Sequence, residues 1–138
     1  MAERSLVERK LEISRQLTKR LNDDAAPLLA AYWEWVPEKD RWIFYLVPKG
    51  AAEERDLVDK VSSIMIEQPY RSAFSLSDVF VDAHQMERAR AIAAYLRSSE
   101  DIERQFDTTF TGGHYFDSVI VVYVARELQK HDFAAFPT

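Results

Sequence analysis

Cysteine is absent from the 138 residues, which excludes disulfides, thiolate zinc sites and cysteine nucleophiles together. Glycine (three) and proline (five) are scarce, too few for long unstructured linkers. No apolar run approaches the roughly 20 residues of a membrane span. Charged residues begin at Glu3 and Arg4 and leave no apolar stretch of a signal peptide, so a cytoplasmic location without membrane partners is expected. The phosphate, dinucleotide, zinc-protease and serine-hydrolase motifs (Gly-x-x-x-x-Gly-Lys, Gly-x-Gly-x-x-Gly, His-Glu-x-x-His, Gly-x-Ser-x-Gly) are also missing. No cofactor is therefore expected.

What the chain does have is one aromatic stretch, residues 31–47, holding all three tryptophans. Two runs of aromatic and β-branched residues flank Pro37-Glu38-Lys39-Asp40, a composition suited to a type I turn in a β-hairpin. A four-residue loop sets Val36 opposite Arg41, and the register follows by counting back. Trp35 then faces Trp42, Trp33 faces Phe44, and Ala31 faces Leu46 on a wholly apolar side that helices must cover. The other side pairs Tyr32 with Tyr45, Glu34 with Ile43, and Val36 with Arg41. That mixture suits a partly covered surface or the floor of a shallow pocket. Glu34 is expected there as a solvated carboxylate on an open face.

Around the hairpin, residues 3–22 read as an amphipathic helix carrying Val7, Leu11, Leu17 and Leu21, with Leu6 and Ile13 widening the stripe. A second helix over 51–68 repeats Leu57, Val61, Ile64 and Met65, and Pro69 closes it. Residues 70–77 read as a loop and 76–81 as a short strand. Asp82 is placed to cap an alanine-rich helix over 84–98. Residues 108–113 read as a glycine-bearing loop, and 114–125 as a strand apolar on both faces, central to a covered sheet. Residues 126–138 form a tail or short helix with Leu128, Phe133 and Phe136. The fold class that follows is α+β: one domain over 1–138 in the order α-β-β-α-β-α-β. It has a mixed sheet of about four strands built on the tryptophan hairpin, with helices mainly on one face.

The net charge of −5 is uneven. Residues 1–21 carry +3 and the remainder −8, so the basic arm is expected to pack on its own body or on a second copy. Nucleic acid is disfavoured, because the acidic body repels phosphate and the arm lacks glycine and interleaved aromatics.

Candidate chemistry is sparse. Asp82 and His84 could offer a carboxylate and an imidazole to a metal, but two ligands fall short of a site, and a helix cap explains both. No metal is therefore expected. Thr108 to His114 could cradle an anion with hydroxyls and backbone amides, yet it leads into a strand rather than a helix. Asp78 and Asp82 bracket the third strand without the nearby lysine a two-metal nuclease would want. The balance leans away from an enzyme, towards a small binding or protein-interaction domain that self-associates. The first helix is its candidate contact and the terminal phenylalanines the second. The alternative is a hydrolase or ligand-binding enzyme on the polar side of the hairpin, using Glu34, Tyr32 and Tyr45 with His84 and His114 as neighbours. It requires those side chains to converge on one cleft.

Overall fold

The computed structural model describes residues 8–97, 105–111 and 113–128. The hairpin is its centre. Strand β1 (Leu28–Val36) and strand β2 (Arg41–Pro48) pair antiparallel. Trp35 lies opposite Trp42, Trp33 opposite Phe44, and Glu34 opposite Ile43, the register read from the sequence. The loop closes through Lys39 N–H to the Val36 carbonyl (3.0 Å) and Asp40 N–H to the Pro37 carbonyl (3.1 Å). Asp40 takes the left-handed conformation at φ 55°, which aspartate tolerates better than most residues.

Five strands make one mixed sheet in the order β3-β2-β1-β5-β4. Strand β3 (Val79–Val81) lies parallel to β2 at one edge. Strand β5 (His114–Val124) pairs antiparallel with β1, and β4 (Gln105–Thr111) pairs antiparallel with β5 at the other edge. β4 corrects the loop expected over 108–113. Gly113, at φ +80°, supplies the left-handed backbone for the turn between the two strands. The register of β1 against β5 shifts between Ala31 and Tyr32, a bulge beside the sheet's centre.

Helix α1 (Glu8–Asp23), helix α2 (Glu54–Met65) and the one-turn helix α3 (Tyr70–Ala73) pack on the tryptophan side. Ile13, Leu17 and Leu21 recur every four residues, and all three are buried in that core. Trp33 stacks on Phe44 at 4.9 Å and meets Phe74 at 6.0 Å. Each fully buried side chain of this size stabilises the fold by ~1.5–3 kcal/mol over leaving it in water. The loop expected over 70–77 is thus α3 followed by a tight turn over Leu76–Asp78 capped by Ser75, and β3 begins three residues later than expected.

α1 ends in a Schellman motif. Ala26 N–H reaches the Leu21 carbonyl (2.9 Å) and Ala25 N–H the Asn22 carbonyl (3.0 Å), with Ala25 left-handed at φ 57°. The carbonyls otherwise orphaned at the helix end are thereby satisfied.

Helix α4 (Met86–Arg97) covers the opposite face, where Ala89, Ile92 and Ala93 pack with Tyr32, Val47, Val119 and Val121. Its small side chains bring it close to the sheet, so the architecture is a single-domain α+β fold. The basic arm packs on its own body: Lys10 pairs with Asp78 at 3.1 Å and Arg20 with Glu67 at 2.9 Å. Residues 1–7 of the expected first helix and 129–138 of the expected tail lie outside the described residues. No helix among the described residues is long and apolar enough to cross a membrane.

Candidate functional site

Glu34 is not the solvated carboxylate expected. It is 8 % exposed, because α4 covers the face that a bare hairpin would leave open. Arg88, one turn before the buried Ile92 on α4, reaches down and pairs with Glu34 Oε2. The same guanidinium donates to the Tyr115 carbonyl (3.2 Å) and lies over the Phe116 ring, 4.2 Å from its centroid. A planar guanidinium held by a carboxylate, a carbonyl and an aromatic face has one orientation.

Burial pushes the Glu34 carboxyl up to about 7, against the pull of Arg88 and with help from Glu38 and Asp117. Desolvation wins because the charged form loses more hydration than one cation restores. The Tyr45 phenol is pushed up by burial and then by the Glu34 charge. Tyr32 is wholly buried, its phenol pushed well up by burial, and it donates to Gln85 Oε1 at 2.6 Å.

An open cavity of about 330 Å³ sits above this pair, bounded by Glu34, Tyr45, Gln85, Arg88, Tyr115 and Asp117, with Glu38 at the hairpin turn. The sequence candidates therefore divide. Glu34 and Tyr45 line the cavity, and Tyr32 anchors its wall through Gln85. The histidines do not join them. His84 is nearly fully exposed, and Asp82 accepts from its backbone N–H (2.9 Å) and faces its ring Nδ1 (3.2 Å). That is the cap of the turn leading into α4. His114 starts β5, its ring 6.5 Å from Phe116. His131 lies outside the described residues. Among the described residues no three metal-ligating side chains gather. Thr108 to Thr111, offered as an anion loop, lie on β4. Asp78 is engaged by Lys10 and Arg41.

Arg88 is the residue sequence reasoning missed. Its signal was present: it precedes Ile92 by four, so it lies on the helix's buried line, a rare place for a cation.

A second feature lies at the β3 edge. Ile66 is 72 % exposed and Phe80 39 %. They border an apolar groove of about 470 Å³ between α2 and β3, lined also by Val58, Val61 and Met65. A third hollow, about 600 Å³, runs between α1 and β5, where Leu11 and Ile120 are half-buried. Its basic rim is engaged within α1, Arg15 with Glu12 and Lys19 with Asp23.

Comparison with protein-family models, with curated proteins and with solved structures finds no match for this chain.

Proposed function

We propose that this protein is a small non-enzymatic interaction domain that self-associates, and that its contact is the α2–β3 edge rather than α1. The observation that carries the reading is an apolar groove beside an edge strand. β3 pairs with β2 alone among the described residues, leaving backbone donors and acceptors on its outer side, a template for another strand. Ile66 and Phe80 flank that strand and are two of the three exposed large hydrophobic side chains among the described residues.

α1 is the weaker candidate because its apolar stripe already packs on the chain's own sheet. The occupant we assign to the groove is a second copy of this chain. Its rim carries both signs, with Lys39 over the Phe80 ring (5.4 Å) and Arg55 beside Asp59 (3.9 Å) on α2. A two-fold contact therefore meets no single-sign barrier, and β3 against β3 about a two-fold axis is self-complementary.

Sedimentation velocity over a dilution series tests this. The wild type is expected to dimerise reversibly. Ile66→Asp is expected to be monomeric with an unchanged circular dichroism spectrum, since Ile66 contributes little to the core. A wild type monomeric throughout, or an Ile66→Asp dimer of unchanged strength, would overturn the proposal.

A further inference from the structure

The cavity over Glu34 has a feature that self-association does not use. Glu34 Oε2 accepts from Arg88, but Oε1 accepts no hydrogen bond among the described residues, and Glu34 lines the cavity. A carboxylate oxygen on a side chain nine-tenths buried is an acceptor without a donor, a costly arrangement unless something brings one. The rest of the lining says what kind of donor. Arg88 is consumed by Glu34, the Tyr115 carbonyl and the Phe116 face, so an anion finds no free cation there. Glu38 and Asp117 add two further carboxylates, against that single guanidinium. Tyr45 contributes an aromatic wall, and such a ring attracts a cation.

We propose that this cavity binds an alkylammonium group, whose N–H donates to Glu34 Oε1 while Glu38 and Asp117 balance its charge. At about 330 Å³ it is at the small end of ligand pockets, the size for a short aliphatic amine or the end of a lysine side chain. The Arg88 pair is part of the device. It holds the Glu34 carboxylate in one orientation and keeps it available to a second cation. The site lies on the α4 side of the hairpin, and its ligand does not depend on the β3 contact.

The test uses the full 15N-labelled chain, titrated with n-butylammonium chloride, 1-butanol and sodium phosphate at matched ionic strength. Butylammonium is expected to shift the amides of Glu34, Glu38, Arg88 and Asp117 in a saturable way, with the alcohol inert. Asp117→Asn is expected to weaken binding about tenfold, the value of one charge-assisted hydrogen bond. Glu34→Gln is expected to weaken it further. The folded Asp117→Asn variant keeps the test valid if Glu34→Gln fails to fold. Shifts induced equally by the alcohol, shifts induced by phosphate instead, or none at all would each overturn the proposal. Titration with N-acetyl-lysine methylamide then separates the two sources. Tighter binding of the blocked lysine assigns the cation to a partner side chain, weaker binding to a free amine, and both sustain an ammonium site. Repeating the titration on Ile66→Asp separates the cavity from self-association, since that variant is expected to bind butylammonium with unchanged affinity. An affinity lost in Ile66→Asp would make the site a product of assembly and overturn its independence.

Discussion

Glu34→Gln removes the one carboxyl that the fold holds near neutrality. Moving a carboxyl from 4.5 to about 7 corresponds to about 3 kcal/mol, at ~1.4 kcal/mol per pH unit. The sign follows from which state keeps the proton. Below pH 4.5 the group is protonated in both states, and its contribution to stability is greatest. As pH rises from 4.5 to about 7, the unfolded chain gives up the proton while the folded chain retains it, so stability falls. Above about 7 both states are ionised and the loss is complete. Urea unfolding of wild type and variant at half-unit steps from about pH 4 to about pH 8 reads this directly, because other titrating groups cancel in the difference. The wild type is expected to lose about 3 kcal/mol relative to Glu34→Gln across that range. Parallel curves would show that Glu34 is hydrated or fully ionised, and would refute both its burial and the pairing drawn for Arg88.

Ala25→Gly, at the left-handed end of α1, is expected to stabilise the protein by ~0.5–1 kcal/mol, because glycine adopts that backbone without a Cβ clash. An unchanged or lower melting temperature would contradict it. Ser14→Ala removes the acceptor of the buried Trp33 indole N–H (3.0 Å) and is expected to cost ~1–3 kcal/mol. In the Trp33→Phe background the same change should cost much less, and a double-mutant cycle without coupling would contradict the bond. Arg20→Ala breaks an exposed pair with Glu67 and is expected to change thermal stability little, with any loss shrinking at high salt.

The hairpin register was legible because both its strands alternate and Pro37 to Asp40 fix the loop length; a slip of one residue would have put Glu34 among the tryptophans. The covered central strand was legible in Val119 to Val124, a run with no polar side. β4 was not, since Gln105, Asp107, Thr109 and Thr111 resemble a polar loop, and only pairing with β5 makes them a strand. Burial of Glu34 could not be read from β1 alone. It depends on α4 crossing the face above it, a tertiary event, although the alanines that let the helix lie close were visible. The same limit applies to the site. Tyr32, Glu34 and Tyr45 share a face by strand period, whereas Arg88 joins them only through packing. His84 and His114 share neither their cavity nor its hydrogen bonds. α1 was read as a contact for other chains because its apolar stripe was clear and its partner, the chain's own sheet, was not.

The central claim is that β3 is where two copies meet. Amide hydrogen exchange at Val79, Phe80 and Val81, followed across a dilution series, tests it at the residues concerned. Protection there is expected to rise with protein concentration while that of β1 stays constant, as an edge becomes an interior strand on pairing. Exchange at β3 that is independent of concentration, in a protein that nonetheless dimerises, would place the contact elsewhere and contradict the claim.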